Sequence, residues 1–169
     1  EIRLSLVGSE MCIRDRDTAK QLDAYDSGRI YYYLGEYQKA YLALDEARDK
    51  GGADSYLYLG RAYAATGDYN YASSVYNNYL SKQGPNAEIY NELGLCEMAK
   101  KEYQNALAAF QAGKQIEGNS LMQTLCFNEI VAYEYLEDYQ QAEVLMNAYL
   151  QNYPDDQTAI REQQFLSTR

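Results

Sequence analysis

The sequence predicts an all-α fold: a solenoid of about four helix pairs closed by a C-terminal capping helix. Three observations predict it. Tyr37, Tyr69, Tyr103 and Tyr139 each stand three residues before an alanine, namely Ala40, Ala72, Ala106 and Ala142. Those alanines are 32, 34 and 36 residues apart, a mean of 34, a period at which helix pairs stack and bury their apolar faces against their neighbours. Apolar residues inside each copy recur at three- and four-residue steps, the mark of one buried helix face.

The second copy is the fullest, Tyr56 to Leu80. Tyr56, Leu59, Tyr63 and Ala64 form one face of a first helix. Gly67-Asp68 then interrupts it, the glycine suited to a left-handed turn and the aspartate to capping the next helix. The second helix begins near Tyr69 and places Ala72, Tyr76 and Tyr79 together, and Gly84-Pro85-Asn86 ends it and opens the next unit. The expected units are residues 21–52, 53–86, 87–120 and 121–156, within a repeat region of 17–156. Residues 157–169 form the capping helix and tail, with Ile160, Phe165 and Leu166 covering the last pair and Arg161, Glu162, Gln163 and Gln164 facing water. Asp155 and Asp156 are expected to cap that helix.

Gly28, Gly60 and Gly94 occupy the middle of the first helices, where glycine costs about 0.5–1 kcal/mol against alanine. Three in register imply that something needs the missing side chain, and the alanine twelve residues on is the expected partner, small facing small. Ile130 breaks this rule in the fourth copy and should push that pair slightly apart. Lys101 and Glu137 replace the turn glycine, and Glu97 replaces the tyrosine of the other copies. The longest spacing predicts an extended turn, or an extra helical turn, near Gly118-Asn119-Ser120.

Composition narrows function. The chain has 169 residues with 25 acids against 15 bases, net charge −10, and no histidine. Without clustered Lys and Arg, nucleic acid and anionic membrane surfaces are excluded as expected partners. Without histidine there is no His-based acid–base chemistry and no His-containing zinc site. Cys12, Cys96 and Cys126 are odd in number and show no CxxC spacing, so neither a disulfide framework nor a cysteine metal site is expected. Cys96 and Cys126 align with small or aromatic core positions and are expected to be buried. No run reaches the roughly 18 apolar residues of a membrane span. No cofactor, no metal and no enzymatic activity are expected. The twenty tyrosines mostly recur at fixed repeat positions, as ring-bodied, hydroxyl-tipped side chains suit a helix seam with a wet edge.

The pattern Leu59-Gly60, Tyr63, Gly67, Tyr69, Ala72, Tyr76 and Gly84-Pro85 resembles the tetratricopeptide repeat, and the likeness extends over about Gln21 to Asp156. Sel1-type repeats have a different spacing. The resemblance implies a right-handed superhelical solenoid and a non-enzymatic interaction scaffold whose first helices line a concave groove for a peptide or partner segment. Carried over residue by residue, the groove comprises Tyr25, Arg29, Tyr32, Tyr33, Leu57, Arg61, Asn91, Leu95, Met98, Phe127, Val131 and Tyr135. Its N-terminal part pairs two arginines with tyrosine rings, a combination that accepts a carboxylate. Arg29 has Asp26 within reach on its own helix, whereas Arg61 has no acid three or four residues away. The clamp of chaperone-binding members finds Glu88 and Glu92 at its later positions, so an acidic chaperone C-terminal tail is not an expected ligand. The wealth of Tyr, Asn and Gln with few Lys resembles bacterial members, some exported or lipid-anchored. A second implication is therefore a cell-envelope protein that binds glycan through Tyr32 and Tyr135 or assists envelope assembly.

Residues 1–16, EIRLSLVGSEMCIRDR, join no repeat and resemble a translated sequencing adapter. They are expected to be a non-native or disordered leader, with the native N-terminus missing and the compartment left open.

Overall fold

The computed structural model describes residues 22–169, so the expected leader lies outside the described residues. Among them nine α-helices and no strands occur: α1 (Ala24–Tyr33), α2 (Tyr37–Asp49), α3 (Ser55–Ala65), α4 (Tyr69–Gln83), α5 (Ala87–Ala99), α6 (Tyr103–Lys114), α7 (Met122–Tyr135), α8 (Tyr139–Asn152) and α9 (Gln157–Leu166). The helices form a helical-hairpin repeat fold. The chain divides into two compact units, the first ending at Tyr79 and the second running Leu80–Arg169.

The four hairpin turns are built alike. Gly35, Gly67, Lys101 and Glu137 take left-handed φ values of 74°, 83°, 65° and 61°. The next residue then donates its N–H to the carbonyl five residues back: Glu36 to Tyr31 O, Asp68 to Tyr63 O, Glu102 to Glu97 O and Asp138 to Tyr133 O, at 2.9–3.0 Å. This is the Schellman closure, which satisfies carbonyls that a helix end leaves orphaned. Lys101 and Glu137 thus keep the turn that glycine makes without strain elsewhere. Asp68 and Asp138 then cap α4 and α8 by accepting from Tyr71 N and Gln141 N, both at 3.1 Å. Between α6 and α7 the chain makes the expected extended turn. Gly118 has φ 69°, and Asn119 bridges it, donating to Ile116 O at 2.7 Å and accepting from Leu121 N at 3.1 Å.

In the first unit Ala40, Leu44, Leu59 and Ala62 are fully buried, with Tyr31, Tyr56 and Val75 beside them. Tyr41 and Tyr63 stack at 4.2 Å with an interplanar angle of 2°, joining α2 to α3, and the Tyr41 hydroxyl reaches Thr66 Oγ1 at 2.7 Å. Rings in the seam with hydroxyls at its edge account for much of the tyrosine excess.

The second unit buries apolar clusters of its own. One gathers Ala106, Leu107, Phe110, Leu125 and Ala132. Another joins Ile130, Ala142, Met146 and Tyr149 to Ala159 and Leu166 of α9. Ala159, fully buried, holds the seat expected of Phe165, which is 39% exposed beneath the Arg169 guanidinium. Glu162 and Gln163 are half-buried instead of facing water.

The mid-helix glycines are explained differently from the expectation. A Cβ on Gly28 would meet Leu44 Cγ and Cδ2, one on Gly60 the Tyr76 ring, and one on Gly94 the Phe110 ring, each closer than 3.0 Å. The partner is the large residue sixteen positions on, not the alanine twelve on. Each glycine is a hollow into which the second helix drives its bulkiest core side chain. The alanine one turn earlier is buried in its own right, at 0% exposure in all four copies. In the fourth copy Ile130 fills the hollow, and flexible, unbranched Met146 stands where a leucine or ring stands elsewhere.

Candidate functional site

In the first unit the outward positions of α1 and α3 converge. Arg29 lies over the rings of Tyr25 at 5.4 Å and Tyr58 at 5.1 Å. Arg61, one repeat later, lies over Tyr58 at 5.7 Å. The Tyr33 and Tyr58 hydroxyls are 3.1 Å apart. Tyr32 packs edge-on against Tyr33 at 5.3 Å and Tyr58 at 5.8 Å. Tyr58 is the centre of this group, with four tyrosine or arginine neighbours from α1 and one from its own helix.

Electrostatics follow from that geometry. The hydrogen bond with Tyr33, aided by Arg29 and by the Arg61 charge, holds the Tyr58 phenol below its usual value. The same hydrogen bond raises Tyr33. Arg29 also pairs with Asp26 at 3.4 Å, with both side chains 40% or more exposed, so this bond is worth little. The face is cationic, aromatic and open to water, with Tyr33 68% exposed. Leu57 lies on the same helix as Arg61 and is half-buried.

In the second unit the expected positions are mainly apolar. Leu95 is 43% exposed and Tyr135 58%, while Met98, Phe127 and Val131 are half-buried. Tyr135 stacks on Tyr103 at 5.0 Å. Asn91 is a correction: it is buried at 8% exposure and accepts from Asn128 Nδ2 at 2.9 Å, so it braces two helices instead of facing a ligand. Asn128, beside the expected Phe127, is the polar group that reaches the surface, and no repeated letter marks it. Tyr58 corresponds to a clamp position of chaperone-binding members and stands outside the expected groove set, and the other copies hold no tyrosine at its place.

The two cysteines differ. Cys96 is buried, and burial pushes its thiol up to about 12. Cys126 is only half-buried, a second correction, and lines a cavity of about 300 Å³ with Lys114, Leu145 and Tyr153. Burial raises this thiol too, which leaves it a poor nucleophile. Among the described residues no group of His, Cys, Asp and Glu could hold a metal ion, and no helix is long and apolar enough to cross a membrane.

Helical hairpins repeating near 34 residues, with open first-helix faces, define a repeat scaffold. The tetratricopeptide repeat model matches residues 25–70 and 59–119, more than half of the chain, which therefore belongs to the tetratricopeptide repeat family. Comparison with curated proteins finds no match. Among solved structures, MamA from Desulfovibrio magneticus RS-1, residue 41 to its end, is 20% identical. That likeness covers 90% of this chain and 85% of that one, with a TM-score of 0.74. MamA of AMB-1 is 23% identical, with 85% and 78% covered and a TM-score of 0.68. The second tetratricopeptide domain of human RPAP3, solved with the HSP70 peptide SGPTIEEVD, is 16% identical. Here 65% of this chain and 90% of that one are covered, with a TM-score of 0.58. At these identities the likeness shows the fold alone.

Proposed function

We propose that the protein is a non-enzymatic scaffold whose first-helix faces hold an extended segment of a partner protein. The first unit accepts an acidic residue of that segment. One observation supports this most: Arg29 and Arg61, from successive repeats of a strongly acidic chain, converge on the single ring of Tyr58 at 5.1 and 5.7 Å. Guanidinium groups oriented by aromatic faces present their donors in a plane that suits a carboxylate. The second unit offers Leu95, Met98 and Val131 to an apolar side chain.

The glycan reading has less support. Tyr32 is flanked by Tyr33, Tyr37 and Tyr58, and Tyr135 is stacked on Tyr103. Both ring systems are already engaged with other rings.

Selection from a random peptide display library, followed by calorimetry, tests the proposal. Selected peptides are expected to carry Asp or Glu, and replacing both Arg29 and Arg61 by methionine should weaken them at least tenfold. Undiminished binding to that double variant would refute the acid-accepting role. A free acidic chaperone tail such as SGPTIEEVD is expected not to bind here, since Glu88 and Glu92 occupy its later contact positions. A low-micromolar complex would overturn that expectation.

A further inference from the structure

The second unit contains a pocket of about 300 Å³ between α7, α8 and the start of α9, lined chiefly by Gln123, Thr124, Phe127, Asn128, Tyr149 and Asp156. Its hydrogen-bond inventory is one-sided. Tyr149 Oη donates to Asp156 Oδ2 at 2.6 Å. Gln123 Nε2 donates to Tyr149 Oη at 3.1 Å and lies 3.5 Å from Asp156 Oδ2. Because the Tyr149 proton points to Asp156, its oxygen must accept, and this fixes nitrogen as the Gln123 atom facing inward. Asn128 Nδ2 gives one of its two hydrogens to Asn91.

Three of the four amide hydrogens are therefore consumed within the wall. What remains for a visitor is Gln123 Oε1, Asn128 Oδ1, the negative charge of Asp156 and the Thr124 and Thr158 hydroxyls, which can accept as well as donate. That carboxyl is held below its usual range by the Tyr149 hydroxyl and by the N–H groups of Ala159 and Thr158. Phe127 supplies a ring wall, set edge-to-face against Tyr149 at 5.7 Å. No Lys or Arg lines the pocket. Acceptors, a carboxylate and an aromatic wall in one recess match a flat, weakly hydrated, donor-rich cation.

We propose that this pocket receives an arginine side chain of a bound protein segment. Phe127 packs on the guanidinium plane, Gln123 Oε1 and Asn128 Oδ1 take its N–H groups, and Asp156, whose oxygens already accept from Tyr149, Gln123, Thr158 and Ala159, supplies the opposite charge. The inference rests on the scaffold reading only for the arginine arriving on a protein; the guanidinium preference stands on the pocket itself. Lysine fits less well, since a compact, strongly hydrated ammonium gains less from the ring and lacks the planar fork that reaches two separated acceptors at once.

Nuclear magnetic resonance titration of the whole chain tests this without any peptide partner. The probes are Nα-acetyl-arginine N-methylamide, its lysine counterpart, and the citrulline counterpart, which is neutral but nearly the same shape. The arginine probe is expected to shift the side-chain amide signals of Gln123 and Asn128 saturably. Both other probes should bind at least tenfold more weakly. Asp156→Asn, which keeps the helix-capping oxygen but removes the charge, should weaken the arginine probe at least tenfold. Thr124→Arg, an exposed helical position that tolerates a long side chain, should abolish binding by filling the pocket from within. Equal response to citrulline or lysine, or binding unaffected by Thr124→Arg, would overturn the assignment. Such a failure leaves the acid-accepting face of the first unit to its own test, and a failure of peptide selection there leaves this one standing.

Discussion

Gly94→Ala decides between two opposed forces. Helix propensity alone favours alanine by about 1 kcal/mol, because glycine pays more backbone entropy on folding. The new Cβ, however, would stand closer than 3.0 Å to Phe110 Cε1, Cδ1 and Cζ, where ordinary contact begins at 3.4 Å. Phe110 is 0% exposed, so its ring cannot swing into solvent and must push other core atoms aside. Overpacking of this kind costs about 3 kcal/mol at the upper end of the usual range. The net expectation is a loss of about 2 kcal/mol, or a melting temperature lower by about 4–8 °C for a chain of this size. Calorimetry or circular dichroism reads it directly. Rescue comes from copying the fourth hairpin: Gly94→Ile with Phe110→Met reproduces the Ile130 and Met146 arrangement and should show a favourable coupling of about 0.5–3 kcal/mol in a double-mutant cycle. A Gly94→Ala protein that melts at or above the parent temperature would mean that propensity wins and that the hollow is not filled as described.

Lys101→Gly and Glu137→Gly should each stabilise the fold by about 1 kcal/mol, because both residues hold left-handed φ values that cost L side chains about that much. A lower melting temperature for either would count against strain at these turns. Ala72→Leu or Ala106→Leu should cost about 1–3 kcal/mol, both positions being fully buried, and unchanged melting of both would contradict the packing. Glu134 is pushed up to about 7 by burial and by Glu162. A carboxyl whose folded value exceeds its unfolded one binds more protons when folded, so its contribution is greatest below about 4.5 and is lost as pH rises through about 7. Glu134→Gln should therefore gain melting temperature relative to the parent between pH 5 and pH 8, and a difference independent of pH would refute this.

The fold was legible because its marks repeat. Alanine and glycine recur at fixed offsets, and the turn at Gly35 and Gly67 is a property of one residue type, so Lys101 and Glu137 could be recognised in its place. The glycine's partner was not legible for the opposite reason. Leu44, Tyr76, Phe110 and Met146 share a position but no letter, only bulk, and a period read by identity passes over them in favour of the constant alanine. The capping helix carried two competing apolar faces in ten residues. Ala159 won over Phe165 because a helix packed closely on Ile130 and Met146 has room for a methyl group. In the candidate site, register set Arg29 and Arg61 at equivalent positions but could not reveal that both lie over Tyr58. It also placed Asn91 outward, where its bond to Asn128 holds it inward.

The glycine hollow makes each hairpin a lock whose key is cut sixteen residues downstream. Neither half can drift alone without a clash or a void, so substitutions at the two places should travel together among related sequences. The fourth hairpin, with its isoleucine and methionine, already records one such joint step. A repeat array enlarged by copying its own segments thus inherits these paired constraints with every duplication, and its history should be readable as correlated change at that fixed interval.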